Sequence, residues 1–271
     1  MELTMKNKTA VVTGGSKGIG LAVTAALAAE GARVVVGSRG STPELDVLVT
    51  ERGVTVVPVD LATENGPAEL IRAAQVAHGG IDILVNNVGA SEPAESIVDF
   101  TDEQWQRIFD VTFFSAVRSV RAAIPVMQGG GGGAIVNIGS LNARLPAGMI
   151  APYSAAKAAL SNFGKALSEE FAPKGIRVNT ISPGPVRTPL WTGPGGFAHL
   201  FADQAGTTVE DVMNRLLPES MAITTGRVSE PAEVAELVLF LASNRAATTP
   251  GAFSVIAGGM LTPVPSTTGA G

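Results

Sequence analysis

Tyr153 is the only tyrosine of the chain, and it precedes Lys157 by four residues in the alanine-rich stretch 151–172. The composition favours a helix that ends before Pro173, and residues four apart lie on one face of a helix. A free phenol has a pKa of about 10, and a neighbouring ammonium favours the phenolate. We therefore predict a pair that donates or accepts a proton near neutral pH. A tyrosine that merely packs fits the same short pattern.

Three glycines after a short apolar run indicate a second kind of chemistry. Residues 10–12 are apolar, as in a buried parallel strand, and Gly14, Gly18 and Gly20 follow before a helical pattern over 19–30. Such a turn lets backbone N–H groups approach a pyrophosphate, which the helix dipole also favours. The alternative is a plain strand–helix turn that needs glycine for positive φ. The spacing favours nucleotide binding.

Regular alternation of strand-like and helix-like segments positions these residues. Strands are predicted at 9–13, 33–37, 55–59, 81–86, 134–138, 177–182 and 253–256, and helices at 19–30, 44–52, 66–78, 102–127, 151–172 and 231–242. The alternation predicts an α/β fold: a single Rossmann-like domain over 1–271, with a doubly wound, mostly parallel seven-stranded sheet and helices on both faces. The five glycines at 129–133 predict a flexible surface connection.

A long insertion at 183–221 precedes the last predicted helix, and residues 184–221 are a candidate substrate lid. Its apolar side chains are Leu190, Trp191, Phe197, Leu200, Phe201, Met213, Leu216, Leu217 and Met221. They fit an apolar lid over a hydrophobic or medium-sized ketone, and equally a pair of small helices packed on the sheet. The tail 262–271 is predicted to be weakly ordered.

Composition excludes several classes of function. A net charge of -5 over 271 residues argues against nucleic acid or an anionic membrane as the main partner. The absence of cysteine excludes disulfides and thiolate metal sites. The two histidines lie far apart in sequence, and we predict no metal site. Residues 1–8 lack a signal-peptide core and no apolar run has transmembrane length, so a cytoplasmic protein is expected.

Taken together, the motifs resemble those of the short-chain dehydrogenase/reductase family. They are T-G-x-x-x-G-x-G at 13–20, N-N-V-G at 86–89, Ser140, Y-x-x-x-K at 153–157 and P-G-P-V-R-T at 183–188. They occur in the family's order, and the resemblance runs from about residue 8 to residue 259. It implies an oxidoreductase of the shorter, single-domain branch.

The resemblance also implies a role for each motif. Tyr153 would be the general acid in carbonyl reduction or the base in alcohol oxidation. Lys157 would lower the pKa of Tyr153 and bind the nicotinamide ribose, and Ser140 would bind and polarise the substrate carbonyl. The residues implied in cofactor binding are Gly14, Ser16, Lys17, Gly18, Ile19, Gly20, Ser38, Arg39, Asp60, Leu61, Asn87, Gly89, Tyr153, Lys157, Pro183, Gly184, Val186 and Thr188.

Thr112 departs from the family pattern. It stands in the segment D-V-T-F-F at 110–114, where the family usually has an asparagine that holds a water linked to the lysine. A threonine hydroxyl could hold such a water but offers fewer hydrogen-bonding groups than an amide. Thr112 is therefore included in the predicted catalytic set, with the expectation that its hydroxyl holds the water. A second departure is Ala257, where the family often has aspartate.

The end of the second strand bears on the choice of nicotinamide. An NAD site would place Asp or Glu near position 38 to bind the ribose hydroxyls, and this chain has Ser38. Arg39 and Lys17 could reach a 2′-phosphate, although both also fit solvated surface cations. The sequence favours NADP(H) over NAD(H).

The sequence thus predicts an NADP(H)-dependent enzyme that interconverts a ketone or aldehyde and an alcohol by hydride transfer. The alternatives are a catalytically weak nucleotide-binding sensor or scaffold, and a 3-oxoacyl thioester as the substrate. The expected partner is a small carbonyl or alcohol molecule rather than nucleic acid or a membrane. A homotetramer is predicted through the helices at 102–127 and 151–172, with Phe109, Phe113 and Phe114 as anchors.

Overall fold

A parallel β-sheet forms the centre of the molecule. The structure, a computed structural model, describes Leu3 and residues 5–260, so the predicted tail lies outside the described residues. The strands are β1 (Thr9–Thr13), β2 (Arg33–Ser38), β3 (Thr55–Pro58), β4 (Ile83–Asn86), β5 (Gly133–Ile138), β6 (Ile176–Pro183) and β7 (Phe253–Ile256). All pairings are parallel, in the order β3-β2-β1-β4-β5-β6-β7.

Helices cover both faces of the sheet because its central strands are apolar on both sides. The helices are α1 (Gly18–Ala29), α2 (Pro43–Arg52), α3 (Gly66–His78), α4 (Asp102–Phe109), α5 (Ser115–Gly129), α6 (Ala151–Phe171), α7 (Pro189–Thr192), α8 (Phe197–Ala205), α9 (Val209–Asp211), α10 (Leu217–Ser220) and α11 (Pro231–Ala242). Val23 and Val238 belong to the core on one face, and Leu70 and Ala123 to the core on the other. The predicted doubly wound Rossmann-like fold is confirmed.

The stretch 102–127 is not the uniform α-helix that its pattern predicts. Between α4 and α5, the five residues Asp110–Phe114 form a π-helical segment with Thr112 buried in it. A π turn admits one extra residue and is rarely stable without tertiary contacts. Here the Thr112 hydroxyl bonds to the backbone of Ala90, a contact 22 residues away that local sequence does not reveal.

The predicted interface phenylalanines make contacts within the chain. The Phe113 ring packs edge-on against Phe163 of α6 at 6.0 Å between centroids, and the Arg118 guanidinium lies 5.5 Å from the Phe114 centroid. Phe109 in turn meets Phe113 at 6.2 Å. These rings therefore tie the helix pair together, and the homotetramer stays a prediction.

The glycine run at 129–133 is structured rather than loose. It contains the end of α5 and the start of β5, and the N–H of Gly130 donates to Val126 O while that of Gly132 donates to Met127 O. Gly131 and Gly132 have φ of 90° and 127°. The run is therefore a hydrogen-bonded helix end and turn, and glycine is needed there for positive φ.

The insertion folds into the short helices α7–α10 around a small core of its own. Ala198, Val212, Met213 and Leu217 are buried in that core. A second π-helical segment, Val212–Leu216, joins α9 to α10. Across the described residues, no helix combines the length and the apolar character needed to cross a membrane.

Candidate active site

A cavity of about 390 Å³ opens beyond the carboxyl ends of β1, β4, β5 and β6. This is the edge where open parallel sheets bind ligands. Of the residues predicted for the site, those that line the cavity are Gly14, Lys17, Gly18, Ile19, Asn87, Gly89, Ser140, Tyr153, Lys157, Pro183, Gly184, Val186 and Thr188. Motifs that are far apart in the sequence thus meet at one site.

The glycine loop between β1 and α1 has the geometry of a dinucleotide cradle. Gly14 and Gly18 have φ of 66° and 56°, which side-chain-bearing residues rarely adopt. A Cβ on Gly20 would collide with Gly14 O and the Asn87 amide. The Asn87 Nδ2 donates to Thr13 O at 2.9 Å and Gly14 O at 3.0 Å, so it anchors the loop to the end of β4. The Gly14 N–H donates to Gly37 O at 2.8 Å, so a pyrophosphate on this loop would be met by the helix N-terminus at the start of α1.

The residues predicted to bind the adenosine half lie outside the cavity wall. Asp60 is exposed and accepts from Ala62 N at 3.0 Å, whereas Leu61 is buried in the core. The structure therefore does not bring Asp60 and Leu61 to the cavity. Ser38 is buried and donates to Gly40 O at 2.8 Å, and Arg39 is exposed beside it.

Thr42 connects this region to the glycine loop, and sequence reasoning missed it. Its hydroxyl donates to Ser16 O at 2.9 Å and accepts from Leu45 N at 3.3 Å as the N-cap of α2. Ser16 thus contributes its backbone to the loop's support rather than lining the cavity. The signal was available, because threonine before proline is a common start of a helix.

Ser140, Tyr153 and Lys157 converge at the end of β5. Ser140 follows the strand and hydrogen-bonds the Tyr153 phenol, while α6 presents Tyr153 and Lys157 on one face. Lys157 Nζ donates to Ile138 O at 2.6 Å and lies 5.6 Å from the centroid of the Tyr153 ring. The arrangement places a phenol, a hydroxyl and an ammonium around one point of the cavity.

Burial sets the protonation of this group. It raises the pKa of the Tyr153 phenol above 10, and the hydrogen bond with Ser140 offsets part of that rise. It also lowers the pKa of Lys157 from 10.5 to about 8. The direction for Tyr153 is opposite to the predicted lowering by Lys157, because desolvation of the phenolate dominates and the ammonium is turned to Ile138 O. The phenol therefore stays protonated at neutral pH, as a proton donor requires.

Thr112 acts on this group from behind the cavity. Its Oγ1 accepts from Ala90 N at 3.2 Å and donates to Ala90 O at 3.3 Å. The neighbouring Gly89 lies against Lys157: a Cβ there would be 3.4 Å from Nζ. The single hydroxyl proton is thus committed to the backbone, and the water contact that the sequence predicts stays a prediction. Thr112 holds the segment that packs on Lys157 and does not itself line the cavity.

Thr112→Val is expected to lower the free energy of unfolding by about 1–3 kcal/mol, because it removes both hydrogen bonds to the part-buried backbone of Ala90. Thr112→Ser keeps the hydroxyl and is the matched control. Urea denaturation of both variants measures the difference. Equal stability of Thr112→Val and Thr112→Ser would contradict the stabilising role of the Thr112–Ala90 hydrogen bonds.

Two further sets of side chains complete the cavity wall. The stretch after Ser140 supplies Leu141, Asn142, Leu145, Ala147 and Ile150, which the sequence reasoning did not select. Their signal was position, because any chain that joins Ser140 to Tyr153 must pass the reacting atoms. The other wall consists of Leu190, Trp191, Phe197, Met221 and Met260. The sequence left open whether the insertion is an apolar lid or a pair of helices packed on the sheet. Four of its residues, Leu190, Trp191, Phe197 and Met221, line the cavity, while Met213 and Leu217 pack inside the insertion.

No group of three or more Asp, Glu or His in the part of the chain that the structure describes is arranged to hold a metal ion.

Comparison with known proteins agrees with this geometry. A family model described as enoyl-(acyl carrier protein) reductase matches residues 14–261. D-beta-hydroxybutyrate dehydrogenase of Rhizobium meliloti (strain 1021) is 35% identical over 261 residues, covering 93% of this chain and 98% of the relative. Human dehydrogenase/reductase SDR family member 4 is 33% identical over 261 residues, covering 94% and 88%.

Solved structures extend the comparison to three dimensions. L-sorbose reductase from Gluconobacter frateurii, in complex with NADPH and L-sorbose, superposes with a TM-score of 0.89 at 35% identity, covering 97% of this chain and 100% of the other. Ligand-free aldohexose dehydrogenase from Thermoplasma acidophilum superposes at 0.85 with 26% identity, covering all of both chains. Motif order, site geometry, sequence identity and fold agree: the chain belongs to the short-chain dehydrogenase/reductase family of oxidoreductases.

Proposed function

We propose that the protein is an NADP(H)-dependent oxidoreductase that interconverts a ketone or aldehyde and an alcohol. The observation that carries the proposal is the meeting of Ser140, Tyr153 and Lys157 in the cavity beside the glycine loop. A binding module or sensor has no use for a protonated phenol beside a buried ammonium. Turnover of a panel of carbonyl compounds, followed by NADPH absorbance, tests the proposal.

The residues present fit a nicotinamide dinucleotide. The pyrophosphate would lie on the loop at Gly14, Gly18 and Gly20, whose shape a Cβ would spoil. The Ser91 hydroxyl is buried in the cavity wall and has no hydrogen-bond partner among the described residues, as expected of a group that a bound ligand would satisfy. When bound, the cofactor supplies the hydride that reduces the carbonyl carbon.

The protein's own side chains would act on the carbonyl oxygen of the substrate. Tyr153 would donate its phenol proton to that oxygen as negative charge develops, and Ser140 would hydrogen-bond the same atom. The Lys157 ammonium would stabilise the phenolate that remains and bind the ribose. In alcohol oxidation the same groups run in reverse, with the phenolate as the base.

Charge at the end of β2 supports NADP(H). Ser38 offers no carboxylate that would repel a 2′-phosphate, and both Arg39 and Lys17 are exposed. Neither cation forms an ion pair with any described residue. The L-sorbose reductase that superposes on this chain is complexed with NADPH. We infer that Arg39 and Lys17 recognise the 2′-phosphate, and that residues 184–221 form the substrate lid.

Arg39→Ala and Lys17→Ala should each weaken NADPH binding by about tenfold to a hundredfold, since a lost charge-assisted hydrogen bond costs about 1.5–3 kcal/mol. NADH binding should change much less. Fluorescence titration measures both dissociation constants. Arg52→Ala, at the exposed last turn of α2, is a control that should alter neither. A wild-type protein that binds NADH more tightly than NADPH would refute the assignment.

A further inference from the structure

The cavity wall carries very little charge. Lys17 and Lys157 are its only charged residues among the described lining side chains. Lys157 is 3% exposed and bonded to Ile138 O, beneath Tyr153. Lys17 belongs to the glycine loop, on the side that serves the cofactor. Neither can meet an anionic group at the opposite end of a substrate.

The two arginines that lie closest in sequence to the lining residues of this wall, Arg144 and Arg187, make contacts outside the cavity. The Arg144 guanidinium lies 3.8 Å from the centroid of the Phe253 ring, outside the cavity lining. Arg187 also lies outside the lining and pairs with Glu210 and Glu230. Residues 261–271, beyond the described part, contain no Lys, Arg or His. A substrate carboxylate that packs against the apolar wall would therefore lose water without gaining a cationic partner, which is costly.

Large apolar side chains make up the wall opposite the glycine loop. The Trp191 ring lies 5.6 Å from that of Phe197 and 6.2 Å from that of Phe201, which fixes its position. Leu190, Met221 and Met260 complete the surface. Aromatic and thioether groups of this kind bind aryl and branched alkyl groups well.

Polar groups that could hold a sugar are scarce at this end. The Asn142 Nδ2 donates to Leu145 O and its Oδ1 accepts from Ser140, so each end of the amide already has one partner. A polyol bound against the apolar wall would give up more hydrogen bonds to water than these few groups replace, which opposes its binding.

Resting on the function proposed above, we propose that the substrate is an uncharged, apolar carbonyl compound whose aryl or branched alkyl group packs against Trp191, Phe197 and Met221. This class differs from the substrates after which two similar proteins are named, a hydroxybutyrate and L-sorbose. The cavity would discriminate against charged and polyol substrates because its wall is apolar and offers no cation, whereas the reacting groups Ser140, Tyr153 and Lys157 would be the same for all of these substrates.

A matched pair of substrates tests the charge argument in the wild-type protein with NADPH. 4-Methyl-2-pentanone and 3-oxobutanoate share one heavy-atom skeleton, with an isopropyl group in place of the carboxylate. We expect kcat/KM to be at least about a hundredfold higher for the ketone, since an unpaired buried charge costs several kcal/mol. Acetophenone should likewise exceed L-sorbose.

The outcomes separate the two proposals. NADPH consumption with none of the four compounds would count against the proposed function itself. Consumption in which 3-oxobutanoate or L-sorbose equals or exceeds its uncharged, apolar counterpart would overturn the substrate class while leaving the function intact.

A gain-of-function variant checks the cause. Leu190 is 45% exposed on α7, so a polar side chain is tolerated there. Leu190→Arg should raise kcat/KM for 3-oxobutanoate by about tenfold, because it supplies the missing cation. Leu190→Gln is the matched uncharged control, and NADPH titration verifies that both variants fold. Equal gains in the two variants would contradict the charge argument.

Discussion

Tyr153→Phe is expected to lower kcat for carbonyl reduction by about 10²- to 10⁴-fold, the usual contribution of a positioned general acid. The change removes one oxygen and leaves the ring that packs in the cavity. NADPH affinity and the urea midpoint should therefore stay close to those of the wild type. Stopped-flow or steady-state absorbance at saturating NADPH gives kcat, and fluorescence titration gives the affinity.

Ser140→Ala provides the comparison for Tyr153→Phe. It removes a hydrogen bond to the phenol and to the substrate oxygen but leaves the proton donor, so its loss of kcat should be smaller. A Tyr153→Phe enzyme with near-normal turnover would refute the proposed chemistry.

Lys157→Met should abolish most turnover and yet make the protein more stable at pH 7. The pKa of Lys157 is about 8 in the folded protein against 10.5 for the free side chain. Holding the buried ammonium at pH 7 thus costs on the order of 3 kcal/mol, at 1.36 kcal/mol per pKa unit. Methionine fills similar space without that cost, although it loses the bond to Ile138 O, so the net gain will be smaller.

The same pKa shift predicts how wild-type stability varies with pH. Between pH 8 and pH 10.5 the unfolded chain binds more protons at Lys157 than the folded protein, so this group makes stability rise with pH. The raised pKa of Tyr153 acts in the opposite direction above pH 10, which limits the useful window to pH 8–10. Urea unfolding of the wild type and Lys157→Met across that window measures the effect.

The contribution of Lys157 is the difference in the free energy of unfolding between the wild type and Lys157→Met. The stability advantage of Lys157→Met should be largest at pH 7 and shrink as the pH approaches 10. An advantage that stays constant with pH, or a variant less stable at pH 7, would show that the ammonium is not buried at a cost.

Local patterns predicted most of the fold because its strands are short apolar runs separated by amphipathic helices. The glycines of the nucleotide loop and the pair Tyr153 and Lys157 were equally visible, since each pattern is compact in sequence. The parallel sheet then explains why they meet, because all its carboxyl ends lie at one edge.

The parts that sequence reasoning missed depend on tertiary contacts. Nothing within residues 110–114 indicates a π turn. In the structure the turn is accompanied by the hydrogen bonds between Thr112 and Ala90, which local sequence does not reveal. The pKa direction of Tyr153 was missed because burial is not a local property. The role of Asp60 rests on resemblance alone and stays a prediction, since its carboxylate accepts from Ala62 N and lies outside the cavity wall.

The two hydrogen bonds of the Thr42 hydroxyl have a consequence for cofactor engineering. One hydroxyl couples the loop that follows β2 to the backbone of Ser16 in the glycine loop. Grafting an NAD-type sequence over residues 38–42 would therefore alter pyrophosphate recognition along with ribose recognition. Changing Ser38 and Arg39 alone, with Thr42 retained, would alter ribose recognition while leaving the support of the glycine loop unchanged.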